Sequence, residues 1–328
     1  MATTEYYSAQ RAAAPSARDA VDGRTRHYGE FYRVTEPPVR DRRPLVLVWG
    51  NCQAEALRIV LSSSPDAAYR TIRVPPVHEL TASDMPFVSS IAEAADVLVS
   101  QPVRAGYRGL PIGTAEVRDR SKRPSRTIVW PVVRYCGMFP FQVIVRHPDS
   151  PSAVPPAVPY HDLRTLLGVR EGRRRFDEWD FEVGEERLRA VADWSVGQLR
   201  SRELRNCDVG ISDVLLGLGE RAAHTINHPG NDGLLELGRR ILSTLGCTDP
   251  TPPERELLGN IRAPLEKRVI DAFGLHANAR EEWTVDGASL GQEEIFEVQS
   301  RWYLEHPQFV TAAFARYAEL VDILGLTA

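Results

Sequence analysis

Between residues 41 and 165 the chain alternates short apolar runs with amphipathic stretches. The apolar runs at 45–49, 70–74, 97–100, 127–132 and 143–145 are too short for helices and read as strands. Two stretches have helical spacing instead. In 53–62, Leu57, Val60 and Leu61 recur at i, i+3, i+4; the other, 83–94, has Thr81 or Ser83 as its cap. Apolar strands alternating with helices imply an α/β domain, a parallel sheet flanked by helices on both faces. Such sheets bind ligands beyond the carboxyl ends of their strands. Cys52, Gln101 and Pro131 all fall at such ends.

Elsewhere the pattern differs. Residues 1–40 are rich in Ala, Arg and Ser and poor in aliphatics, which predicts a mobile tail. Its second half, 27–34, carries Tyr28, Phe31 and Tyr32 and is expected to dock on the body. A proline-dense loop spans 148–159. Beyond it, 166–328 reads as a mostly helical region packed on the 41–165 domain, with helices expected at 178–204, 211–218, 233–245, 254–273, 293–304 and 309–324. In 233–245, Leu234, Leu237, Ile241 and Leu242 form one stripe, with Asn231 or Asp232 as cap.

The sharpest chemistry lies where the first strand meets the first helix, at Gly50-Asn51-Cys52-Gln53. A tight turn there puts one thiol at a helix N-terminus. The unpaired amides and the positive dipole end favour an anion, so the expectation is a stabilised Cys52 thiolate. Gly50 would give the turn its backbone freedom. Backbone amides of Cys52 and Gln53, with the Asn51 or Gln101 side chain, would form an oxyanion site. The layout follows the nucleophile-elbow logic, with sulfur for oxygen.

Composition narrows the classes. The 328 residues are 43% hydrophobic with net charge −4, which fits a globular protein and argues against a nucleic-acid partner. Cys52, Cys136, Cys207 and Cys247 are scattered, with no CxxC pair. No long apolar run or clustered ligand spacing suggests a membrane span or a metal. The sequence therefore predicts a soluble cytoplasmic protein with reduced thiols, and a homo-oligomer is compatible with it.

Four stretches carry a family resemblance. Trp49-Gly50-Asn51-Cys52-Gln53-Ala54 resembles the opening motif of the WcbI-type polysaccharide-biosynthesis acetyltransferases. Residues 95–102, ending in Gln101-Pro102, resemble a later strand of that family, and 128–131 with Gly137 and Pro140 resemble the next. Asn227-His228-Pro229 resembles its late histidine motif. The similarity spans residues 45–245. The turn is also similar to that of the GDSL/SGNH hydrolases, which makes the expected sheet SGNH- or flavodoxin-like.

The resemblance implies a coenzyme A (CoA)-dependent acyltransferase, with acyl-CoA and a hydroxyl-bearing acceptor, a sugar or a specialised metabolite, as partners. It implies Cys52 and His228 as the centre; His78, which follows the second strand, and His224, four residues before His228, are reserve bases by position. Gly50, Arg104, Arg108 and Arg134 are candidates for holding CoA, the arginines because its phosphates need cations. SGNH hydrolases carry an aspartate three residues before the base. Thr225 and Arg221 stand at those places before His228 and His224, so no third member is assigned and Asp232 is the nearest carboxylate. Two other readings stay open: an SGNH-like esterase or thioesterase using the same cysteine, and a non-catalytic binding module in which Cys52 is inert.

Overall fold

The computed structural model describes residues 22–35, 41–122, 126–147 and 153–326. The remainder of the expected tail, 1–21 and 36–40, lies outside the described residues, as does the 148–152 part of the proline-dense loop.

Four parallel strands, β1 (Leu45–Trp49), β2 (Arg70–Thr71), β3 (Val97–Ser100) and β4 (Arg126–Val129), form a sheet in the order β2-β1-β3-β4. The chain passes from β1 to β2 on one side, then crosses to β3 on the other. The connection therefore reverses between β1 and β3, and a crevice opens beyond their carboxyl ends. Trp49 pairs with Ser100 in register, so the residues that follow, Gly50-Asn51-Cys52 and Gln101, emerge side by side.

Burial on both faces explains the uninterrupted apolar run of β1. Val46 and Val48 enter the main core, while Leu45, Leu47 and Trp49 enter a second core on the opposite face. Helix α1 (Gly23–His27) leads into residues that dock as expected, with Phe31 and Tyr32 against Phe87 and the Tyr32 hydroxyl donating to Asp84 at 2.8 Å. Helix α2 (Cys52–Ser62) covers the first face. Helices α3 (Met85–Ala94) and α4 (Thr114–Arg118) cover the second. Prolines trim the expected strands. Pro75 and Pro76 follow β2, and Pro131 follows β4, where a missing N–H cannot extend the ladder.

The 143–145 run does not join the parallel sheet. Strand β5 (Gln142–Val143) instead pairs antiparallel with β6 (His161–Asp162). An apolar run this short specifies extended backbone but no partner. The rest is mainly helical: α5 (Leu163–Glu171), α6 (Glu185–Asn206), α7 (Leu215–Leu218), α8 (Asn231–Leu245), α9 (Lys267–Phe273), α10 (Gln292–Glu305), α11 (Pro307–Arg316) and α12 (Ala318–Leu324). A hairpin of β7 (Ala223–Thr225) and β8 (His228–Pro229) precedes α8.

Three expectations fail here. The 254–273 helix is reduced to α9, because Pro264 cannot sit inside a helix and β9 (Ile261–Arg262) pairs with β10 (Trp283–Val285), itself paired with β11 (Ala288–Leu290). The 309–324 helix breaks at Tyr317. The α8 cap is Gly230, not Asn231 or Asp232.

Helices α2 and α8 lie tightly together. A Cβ on Gly238 would come within 2.5 Å of Val60 Cγ1, and Ala56, Val60 and Leu234 share a small core. These pairings set the two helix N-termini at the same end, which brings the loop before α8 to Cys52.

Candidate active site

The turn after β1 is fixed by an amide network. The Asn51 side-chain oxygen accepts from the Gln53 N–H at 2.9 Å and caps α2. The Asn51 N–H donates to Gln101 Oε1 at 2.8 Å, and Gln101 Nε2 donates to Gln53 Oε1 at 3.0 Å. Gln53 Oε1 also accepts from Val133 N–H at 3.0 Å, while its Nε2 donates to the carbonyls of Val133 at 2.8 Å and Asn227 at 2.7 Å. Gln53 and Gln101 are buried.

This network corrects the expected oxyanion site. The amides of Gln53 and Gln101 are engaged in holding the turn, and the Gln53 N–H serves the cap. Among the described residues, Asn51 Nδ2 and the Cys52 N–H make no hydrogen bond to another residue. Gly50 differs from expectation as well: a Cβ there would lie 2.4 Å from Gln101 Oε1, so glycine makes room for that side chain.

The Asn227 loop is held from several sides. Its carbonyl takes the Gln53 bond, and its side-chain oxygen accepts from the Tyr160 hydroxyl at 2.8 Å. Tyr160 stacks on Trp283, and Tyr135 N–H donates to Ile226 O at 2.9 Å. So held, His228 Nε2 stands 4.0 Å from Cys52 Sγ, across 176 positions of sequence. The sequence-predicted pair is brought together.

Its electrostatics are not those expected. Burial pushes the Cys52 thiol up to about 11, against the pull of its own amide and that of Gln53. Desolvation outweighs the helix terminus here. Burial also pushes His228 down to about 4, and the nearby His224 adds to the effect. At neutral pH the pair is therefore thiol and neutral imidazole. The Leu258 backbone is the polar neighbour of the buried His228 ring, and Asp232 is engaged by Arg221 at 2.5 Å, so among the described residues no carboxylate orients the ring.

The reserve bases lie elsewhere. His78 follows Val77, whose N–H donates to Gly50 O at 2.9 Å, and it lines the crevice with Asn51 and Gln101. Burial lowers its pKa, helped by Arg146 and Arg108. His224 faces a separate cavity of about 430 Å³ beside Asn231 and Glu256, its Nε2 3.3 Å from Glu256 Oε1.

The crevice beyond β1 and β3 has a volume of about 380 Å³. Arg104 and Arg134 line it as expected, together with two arginines the sequence did not single out, Arg146 and Arg316. Arg108 is not on its wall, although its neighbour Tyr107 is. Among the described residues none of the four lining arginines forms an ion pair with a carboxylate. Burial depresses the Arg134 pKa, and Arg316 and Arg146 depress it further. Cations gathered in a half-enclosed space without carboxylate partners make the local potential positive. The Cys52–His228 pair lies just behind Asn51, off the crevice wall.

Residues 45–250 match the model of the family described as polysaccharide biosynthesis enzyme WcbI. A solved structure of WcbI, described as a novel polysaccharide biosynthesis enzyme in its native form without a disulfide bond between CoA and one of its cysteines, is similar in fold. Its TM-score is 0.70 at 20% identity, covering 86% of this chain and 98% of that one. No curated protein matches the chain.

Proposed function

The chain belongs to the WcbI family of polysaccharide biosynthesis enzymes, and from that premise we propose that it is a CoA-dependent acyltransferase working through Cys52 and His228. The observation that carries the reading is the 4.0 Å approach of Cys52 Sγ to His228 Nε2. The description of the solved relative, which names CoA and a cysteine while recording no disulfide between them, and the arginines of the crevice support CoA as the donor.

In this reading the phosphates of acyl-CoA lie on Arg104, Arg134, Arg146 and Arg316, and the thioester reaches past Asn51. The Cys52 sulfur attacks the acyl carbonyl carbon as its proton passes to His228 Nε2. The Cys52 N–H and Asn51 Nδ2 stabilise the oxyanion. The intermediate collapses, the CoA sulfur leaves, and His228 returns the proton to it. An acceptor hydroxyl then gives its proton to His228 while its oxygen attacks the acyl-cysteine. Cys52 leaves and regains the proton. His228 stays unprotonated through the neutral range, as a general base must before each step.

The acceptor is a sugar hydroxyl, in keeping with a family of polysaccharide biosynthesis. The test is transfer of labelled acetyl from acetyl-CoA to nucleotide sugars and capsule-type oligosaccharides. Transfer by the wild type that is lost in Cys52→Ala and His228→Ala supports the reading. Equal transfer by all three proteins defeats it.

A further inference from the structure

We propose that an inner cavity behind the arginine crevice is a binding site for a phosphomonoester. This cavity, of about 200 Å³, shares Arg134 and Arg316 with the crevice and is lined by α6, β5 and the break between α11 and α12. Trp194, Gln198 and Arg202 reach it from one face of α6, at i, i+4 and i+8 spacing. Arg316 is placed by Tyr317, whose hydroxyl donates to Ile144 O at 2.8 Å and pins the helix break against the strand side.

Four residues that line it carry a buried polar atom with no hydrogen-bond partner among the described residues: Tyr135 Oη, which lies beside Gly137, Trp194 Nε1, Arg202 Nη2 and Gln142 Oε1. Buried polar atoms are nearly always satisfied by protein, ordered water or ligand, so four of them on residues lining one small space mark it as a place for a polar occupant. Tyr135 and Gln142 are themselves almost wholly buried, so neither is completed by bulk solvent.

The chemistry of the wall selects the ligand. Tyr135, Trp194 and Arg202 offer donors beside the guanidinium groups of Arg134 and Arg316. That is more than the two oxygens of a carboxylate use, and it suits the three oxygens and double charge of a phosphomonoester. Gln142 Oε1 is an acceptor and fits a hydroxyl next to the phosphate. Burial depresses the protonation of Arg202 and the nearby Arg134 adds to it, which a bound dianion would relieve. The space is far too small for a whole coenzyme, so it takes one end of a ligand.

Two carriers share this chemistry: the 3′-phosphoribose of CoA and a phosphorylated acceptor sugar. Only the identity of the carrier rests on the acyltransferase reading. The test uses the full chain as wild type, Arg202→Met and Trp194→Phe. Calorimetry measures CoA and 3′-dephospho-CoA, and thermal melting measures the response to inorganic phosphate.

If CoA is the carrier, Arg202→Met weakens CoA about tenfold or more and leaves 3′-dephospho-CoA unchanged. If the acceptor is the carrier, both coenzymes bind the two proteins alike, while phosphate raises the melting temperature of the wild type and not of Arg202→Met. Trp194→Phe removes one donor with little change of shape. It shows a smaller loss in the same direction, and it decides the matter should Arg202→Met fold poorly. Variants that respond to CoA, 3′-dephospho-CoA and phosphate just as the wild type does overturn the proposal. A wild type that binds no CoA at all refutes the acyltransferase reading, yet leaves this site standing if the phosphate response depends on Arg202.

Discussion

Gln53 Nε2 donates to the carbonyl oxygen of Asn227 at 2.7 Å, joining the first turn of α2 to the loop that carries His228. The same side chain ties Val133 and Gln101 to that turn. Gln53 is therefore the positioning residue of the Cys–His pair. Gln53→Leu would leave the Val133 N–H and C=O, the Asn227 C=O and Gln101 Nε2 without this partner. At about 1–3 kcal/mol for each of the four groups left buried and unpaired, a loss of roughly 4 kcal/mol or more is expected. Urea unfolding measures it. Acyl transfer should fall further than CoA affinity, because the arginine wall is untouched.

Stability should depend on pH at both ends. His228 and His161 are each held near 4 by burial, below the ordinary histidine value of 6.5. The unfolded chain therefore takes up protons that the folded one refuses between these values. Stability is full above about 6.5 and is lost as pH falls toward 4, by roughly 3 kcal/mol for each histidine at most. At the alkaline end, the Cys52 and Cys136 thiols are held at about 11, so stability falls as pH rises from 9.0 through 11. Denaturant midpoints across pH test both limbs. His228→Ala should flatten the acid limb by about one proton.

Thiol reactivity follows from the same burial. The Cys52 alkylation rate should keep climbing with pH toward about 11, without the plateau near neutrality that a preformed thiolate would give. Iodoacetamide kinetics, read at the Cys52 peptide, measure this. A plateau near neutrality would mean that the helix terminus outweighs desolvation after all.

Arg134 has opposite effects on the free and bound protein. Its guanidinium is half-buried, stands near Arg316 and Arg146, and has no carboxylate partner among the described residues. Arg134→Met should make the free protein more stable by about 1–3 kcal/mol, since an unpaired, half-buried charge is removed at similar volume. It should weaken CoA about tenfold or more. A melting curve and a CoA titration on the same sample check both signs.

Much of this site was legible in the sequence because strong local signals carried it. The five apolar residues of β1, followed at once by helical spacing, located Cys52, and the Asn227-His228-Pro229 motif supplied its partner. The roles of Gln53 and Gln101 were not legible, since an amide side chain announces neither its partners nor its burial. The thiol was misjudged for a related reason: position at a helix end is local, while the desolvation that outweighs it is tertiary. Trp194, Gln198 and Arg202 fall inside the expected 178–204 helix with nothing to single them out, and Arg316 lay inside an expected helix whose break at Tyr317 has no Gly or Pro to mark it.

The central claim is that the acyl group of CoA passes through the Cys52 thiol with His228 taking the proton. The most direct measurement is rapid-quench peptide mass analysis after mixing the protein with acetyl-CoA in the absence of acceptor. The account predicts acetyl on the Cys52 peptide, none in Cys52→Ala, and formation slowed about 100-fold or more in His228→Ala. An unmodified Cys52 in protein saturated with acetyl-CoA, or equal labelling of Cys136, Cys207 and Cys247, would contradict it.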